Sequence, residues 1–294
     1  MFSRIGLLLA MVASIAPVAG TAQTTEAGPA TGTAAATAPC VSPEIEAAPM
    51  RPNWSTSAQT TQCGVFEVDS GWLRQDMGGG TVQHTQVSSL RYGLSPRIDL
   101  RWAAPGPILQ PGGNGPTVHG ISDEWFNVRY RFWEQRRWSP AMAFSYGYKD
   151  PSANPAKSFG SGYADHTLLL IASRDLGRAH FDFNAAGLIA GGAPGKDGSV
   201  RFGLVMSLAV TKRFDWMLES DGGSQPGIPD RFGEALTGAS WMVNPRLVLD
   251  AAYTRAYTAG TPRQQITVGC TVAIPKKMVI PAARSRVLRR WMGR

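Results

Sequence analysis

Between Gly120 and Phe132 the sequence GISDEWFNVRYRF sorts cleanly by parity. Asp123, Trp125, Asn127, Arg129 and Arg131 fall on one side, and Glu124, Phe126, Val128, Tyr130 and Phe132 on the other. A period of two marks a β-strand with one charged and one apolar face. The split returns further on, where Phe202, Leu204, Met206, Leu208 and Val210 alternate with Arg201, Gly203, Val205, Ser207 and Ala209. Twelve strand-like runs follow one another at 65–74, 81–94, 97–104, 123–132, 141–149, 164–174, 179–190, 200–210, 214–221, 233–243, 247–257 and 264–274. Helical periodicity is nearly absent. The pattern predicts an all-β chain, with an even number of strands suited to a closed antiparallel up-and-down barrel. A soluble barrel hides its apolar face, whereas an outer-membrane barrel shows it to lipid.

Two features choose between these forms. The connections at 94–97, 133–138, 175–178, 211–213 and 243–246 are tight, while those at 105–120, 150–163, 191–198 and 222–231 are long and rich in Gly and Pro, with shorter ones at 76–80 and 258–263. Short turns on one side and longer loops on the other are the habit of a transmembrane barrel with both termini in the periplasm. Aromatic residues also gather near run ends: Tyr92, Trp102, Trp133, Trp138, Phe214, Trp216, Trp241, Tyr253 and Tyr257. Amphipathic rings there suit the headgroup level of a bilayer. The expectation is a transmembrane β-barrel of about 12 strands in the outer membrane, with outer-membrane lipids against its apolar face.

With that face outward, the other parity supplies the lumen: Glu67, Asp69, Asp99, Arg101, Asp123, Arg129, Arg131, Asp182, Asn184, Arg201, Glu219 and Asp250, with Arg91, Asn127, His180 and Asp215 beside them. Acids and arginines together predict a paired network, since charges in a restricted lumen need partners. Such a network either braces the wall or orients a permeating solute. Twelve strands fall between filled eight-stranded barrels and open sixteen-stranded porins, so a narrow, partly occluded pore is expected.

Composition and the chain ends refine this. Gly 33 and Pro 21 with only 17% charged residues suit many strands joined by turns. The first 22 residues, with Arg4, an apolar run at 5–16 and small residues at Gly20 and Ala22, read as a secretory signal. No later stretch reaches the roughly 18 apolar residues of a membrane-spanning helix. Residues 23–62, opening with an Ala/Thr/Gly-rich stretch, are expected to be a flexible periplasmic segment, 63–274 the barrel and 275–294 a basic tail. Without Arg4 and the seven cations of that tail, the body carries 21 basic and 21 acidic side chains, so the formal charge of +8 does not point to nucleic acid. The tail reads either as solvated coil or, over 282–294, as a short basic amphipathic helix on an anionic surface.

Export exposes the cysteines to oxidation. Cys40 and Cys63 are close enough in sequence to form a disulfide, while Cys270 lies late in the last run. No histidine neighbours a cysteine, and His84, His119, His166 and His180 are scattered, so no metal site, cofactor or catalytic centre is expected. His84 and Ser88 stand four residues apart, about 13 Å at strand rise, too far for a nucleophile and its base. The non-catalytic alternative to transport is a structural or adhesive barrel, for which 105–120 is long enough to bind or fold inward. A hydrolase is the reading from another class.

Several stretches resemble one bacterial family. SLRYGLSPRIDL at 89–100, GISD at 120–123, Phe183-Asn184, Leu218-Glu219, NPRLVLD at 244–250 and Thr267-Val268-Gly269 are similar to the outer-membrane proteins named for the MetA pathway of phenol degradation, often labelled transporters. The likeness extends over roughly 40–274, and cysteines paired before the first strand fit it. It implies a barrel that passes or takes up small organic, including aromatic, solutes, and insertion by the barrel assembly machinery. The chain departs from the family at its end. Ile274 stands where an aromatic residue usually closes the barrel, and 20 residues follow it.

Overall fold

The computed structural model describes residues 40, 44–103, 106–110, 117–157, 159–192, 198–225, 228–258 and 262–276. The expected signal, the stretch 23–39 and all but the start of the basic tail lie outside the described residues. The strands are β1 (Val65–Gly78), β2 (Thr81–Ser95), β3 (Ile98–Ala103), β4 (Pro107–Gln110), β5 (Val118–Ile121), β6 (Glu124–Trp133), β7 (Ala141–Asp150), β8 (Asp165–Leu176), β9 (Ala179–Ala190), β10 (Ser199–Ala209), β11 (Phe214–Gln225), β12 (Ile228–Asn244), β13 (Leu247–Ala256) and β14 (Gln264–Pro275).

Twelve of these form the wall. β1 pairs antiparallel with β2 on one side and with β14 on the other, so the sheet closes on itself. The remaining two, β4 and β5, are a hairpin that occupies the long connection expected at 105–120 and ends one residue beyond it, at Ile121. It continues the sheet beside β2 where the short β3 stops, through His84–Leu109 and Thr85–Ile108. β14 runs one residue past the expected Ile274, pairing Pro275 with Val65. The connections that join β2–β3, β6–β7, β8–β9, β10–β11 and β12–β13 are short and share one end of the barrel. In the β8–β9 turn Gly177 has φ +64°, a left-handed conformation that glycine takes without steric cost.

The sheet is oily side out. Trp72, Trp102, Phe126, Val128, Tyr130, Phe183, Phe202, Leu204, Leu218, Leu249 and Val268 are all exposed. Neighbouring residues show the contrast best: Val128 is 45% exposed and Arg129 4%. A closed barrel leaves no unpaired edge, so each wall backbone group can bond within the sheet even without water.

What fills the barrel departs from the expectation. Residues 44–62, placed by the sequence reading in a flexible periplasmic lead, enter the lumen from the short-turn end, turn near Arg51–Trp54, and return to Cys63. At the entry Ala47 N donates to Pro245 O (2.7 Å); at the exit Gly64 N donates to Gly93 O (2.8 Å). The Cys40–Cys63 disulfide joins the two legs, with a sequence separation of 23. The segment is thus a plug closed into a loop by its own disulfide. It stays ordered because side chains of the wall bond its backbone, supplying what a ladder or water would otherwise supply. Among the described residues the buried apolar side chains form three small clusters, two of which include a plug residue: Ala58 with Ala141, Ala143 and Ile171, and Ala47 with Val65, Val248 and Ala273. Cys270 is a free thiol on the outward parity of β14.

Candidate functional site

The lumen is a set of wall side chains meeting the plug, and alternation decides which residues take part. From the entry upward, Glu67 on β1 accepts from Ala48 N (3.0 Å), and Arg91 on β2 donates to Ala48 O (2.8 Å). Arg91 is also paired with Glu67 (2.6 Å) and Asp69 (3.1 Å), and Asp69 accepts from Ser89 (2.9 Å) and Thr271 (2.7 Å). All these groups are buried, so their charges persist only because each faces an opposite charge or a donor.

Higher up, Arg51 of the plug lies 3.4 Å from Asp250 and donates to Thr267 (2.7 Å). It sits against Gly269, where a Cβ would lie 2.6 Å from its Nη2. At the apex Glu219 on β11 accepts from two successive plug amides, Trp54 N (2.9 Å) and Ser55 N (2.6 Å). Trp54 packs over Gly203, whose missing side chain makes room for the ring. The Arg201 guanidinium lies 4.3 Å from the Trp54 ring centre and 5.1 Å from that of Phe232, and pairs with Asp221 (2.5 Å) and Glu234 (3.0 Å). Both ring contacts are cation–π in kind, and the two carboxylates offset the guanidinium's charge.

On the descending leg Asn184 brackets Thr56, accepting from its N (3.0 Å) and donating to its O (2.8 Å). Ser173 accepts from Ala58 N (2.7 Å), and Asp99 accepts from Thr61 N (2.8 Å). Arg129 pairs with Asp99 and donates to Ser57 O (2.8 Å). Near the exit Arg131 bonds Gln59 and Pro96 O (2.8 Å) and pairs with Glu134 (3.2 Å).

Two of the sequence-derived candidates sit apart from the plug. Asp123 is at the long-loop end, accepting from Ala153 N (3.0 Å), with Lys149 at 3.4 Å; Lys149 also pairs with Asp165 (2.5 Å). Asp182 accepts from Ser173 (2.5 Å) and His180 (2.9 Å), and His180 reaches Asp175 (2.6 Å) with its other nitrogen. Serine and histidine here both bond the same carboxylate rather than one another, so the group does not form a nucleophile–base pair. Ser88 and His84 share the outward parity of β2, where His84 stacks on Trp72. Among the described residues no group of three His, Cys, Asp or Glu side chains could hold a metal ion.

Arg101 behaves differently from every other lumen cation. Arg51, Arg91, Arg129, Arg131, Lys149 and Arg201 each face a carboxylate, whereas Arg101 has no ion pair among the described residues and its buried Nε has no acceptor. It lines both cavities left beside the plug, one of about 440 Å³ and one of about 260 Å³, which meet at Met50, Asn53 and Trp54. Sequence reasoning missed Arg51, Trp54, Lys149, Asp165, Asp221 and Glu234 as members of the network. A surplus of inward carboxylates over inward arginines was the available hint that backbone amides had to be bonded by side chains.

No family model matches the sequence, and no curated protein matches it. Among solved structures, the fold is similar to the COG4313 outer membrane channel from Pseudomonas putida F1, with a TM-score of 0.63 and 12% identity over 77% of this chain and 100% of that one. The chain has the fold of an outer-membrane β-barrel. Looser likenesses link the barrel to the KdgM porin in complex with disordered oligogalacturonate (TM-score 0.49, 7% identity, 70% of this chain and 98% of that one) and to LpxR from Salmonella typhimurium (0.45, 8%, 71% and 99%). Identities this low speak to the fold alone.

Proposed function

We propose that the barrel is a narrow channel for passive passage or uptake of small organic solutes, its bore set by the plug. The observation that carries this reading is the space left beside the plug: cavities of about 440 Å³ and 260 Å³ meeting at Trp54, walled by charged groups and apolar side chains together. A mixed wall of that kind suits a solute with a polar and an apolar part. The family resemblance adds aromatic compounds as the cargo class. In this reading the short turns face the periplasm, and the chain reaches the outer membrane through the barrel assembly machinery. In this reading the barrel is not an enzyme; Ser173, which shares Asp182 with His180, donates to that carboxylate and accepts from Ala58 N of the plug.

The test is reconstitution. Purified protein should give discrete conductance steps in a planar bilayer and swelling of liposomes in small sugars or aromatic acids. A second reading, a structural or adhesive barrel sealed by its plug, is favoured by one observation, the bonding of plug amides at Ala48, Trp54, Ser55, Thr56, Ala58 and Thr61 to the wall. Bilayers that stay sealed with inserted, heat-modifiable barrel would favour it. Esterase activity lost on a single serine substitution would instead make the protein a hydrolase.

A further inference from the structure

We propose that Arg101 is the anchor of a carboxylate-binding subsite in the smaller cavity, accepting a small monocarboxylate with an apolar body. Three charged side chains line the 260 Å³ cavity: Asp99, Arg101 and Arg129. Asp99 and Arg129 neutralise one another, and Asp99 is further engaged by Thr61 N. The remaining positive charge belongs to Arg101. Its cross-strand neighbours are Arg91 and Asn127, so the strands beside it offer no carboxylate at its level. Across the shared wall, the carboxylates of the larger cavity are taken as well: Glu219 by two plug amides, and Asp221 and Glu234 by Arg201.

Arg101 is half-buried, and its Nε, buried without an acceptor, loses its hydration with no bond in return, a cost that an anion in the cavity would remove. Arginine presents its donors in a planar fork, the geometry that takes a carboxylate through two parallel bonds. The rest of the cavity selects for the body of the ligand. Leu169 and Ile171 of β8 and the plug's Met50 and Trp54 supply apolar surface, while Ser145 and Thr167 supply hydroxyl groups. Ligand pockets for drug-sized molecules begin at about 300 Å³, so this cavity suits a ligand of one ring or a short chain. This subsite rests on the channel reading only for its purpose; the binding itself needs no transport.

The experiment is calorimetric titration of the full-length protein in detergent with benzoate and with benzamide, its neutral isostere, at neutral pH. Saturable benzoate binding is expected, at least tenfold tighter than benzamide. Arg101→Gln should weaken benzoate at least tenfold and benzamide by much less, and Arg101→Lys should recover part of the benzoate loss. Heat-modifiable migration confirms that each variant is folded. Should Arg101→Gln misfold, the benzoate-to-benzamide ratio on the unmodified protein decides. Equal affinity for the two ligands, or benzoate binding undiminished in folded Arg101→Gln, overturns the subsite. The two readings fail separately. Sealed bilayers with benzoate binding intact refute the channel and keep the subsite, and open channels with no preference for benzoate refute the subsite and keep the channel.

Discussion

Replacing Glu219 by alanine should loosen the apex of the plug while leaving the wall intact. Glu219 is 5% exposed and accepts from Trp54 N and Ser55 N at 2.9 and 2.6 Å. Hydrogen bonds to a charged group contribute roughly 1.5–3 kcal/mol each, so two of them set an upper bound of about 6 kcal/mol. Two effects pull the loss down. Removing the carboxylate also removes the cost of burying it, and Glu219 borders the 440 Å³ cavity, from which water can enter to bond one freed amide. A net loss of about 3 kcal/mol remains, roughly a hundredfold rise in the population of plugs open at the apex. Glu219→Gln keeps a carbonyl acceptor and should show about half that effect in free energy. Amide hydrogen exchange on the detergent-solubilised protein reads it directly. Exchange at Trp54 and Ser55 should speed up about a hundredfold, with peptides from β7 and β8 unchanged. Unchanged exchange at those two amides in a folded Glu219→Ala barrel would refute the idea that wall carboxylates hold the plug.

Three further outcomes follow from the same geometry. Because Cys40 and Cys63 enclose the whole plug, Cys40→Ser/Cys63→Ser should destabilise it by about 3 kcal/mol, seen as faster exchange over 44–62 with the barrel still heat-modifiable; a bridge to Cys270 in non-reducing mass mapping would contradict this pairing. Val128→Arg puts a charge on the outward belt and should cost about 2–4 kcal/mol in urea titrations of folding into liposomes, and a neutral result there would contradict lipid contact at this level. Arg201→Lys keeps the charge but loses the planar guanidinium that lies against the Trp54 and Phe232 rings, so the Trp54 amide should exchange roughly tenfold faster; rates equal to the unmodified protein would mean that charge alone is needed there.

The wall was legible because a strand carries its orientation in its own residues. Alternation at 123–132 put Arg129 inward and Val128 outward, and the sorting of turns by length matches the end-to-end arrangement of the barrel. The plug was not legible, for a physical reason. Its stretch APMRPNWSTSAQTTQ has neither period two nor period 3.6, since its backbone bonds go to residues far away in sequence: Trp54 to Glu219, Thr56 to Asn184, Ala58 to Ser173. Proline, serine and threonine without periodicity read as a lead wherever no local ladder exists. The inward acids were recognised as needing partners, but the partners assumed were arginines. Asp69 with Arg91 and Asp99 with Arg129 do pair so, but Glu219 bonds plug amides, as do the uncharged Asn184 and Ser173. The β4–β5 hairpin was hidden in the same way, because four-residue strands inside a Gly/Pro-rich connection are too short to show alternation.

The channel itself is tested most directly by single-channel recording of the full chain before and after reduction of the Cys40–Cys63 disulfide. Discrete small steps are expected in the oxidised protein, with larger or more frequent openings once reduction frees the legs of the plug. Membranes that stay electrically silent in both states, while gel migration shows the barrel inserted and folded, would contradict a channel whose bore is set by its plug.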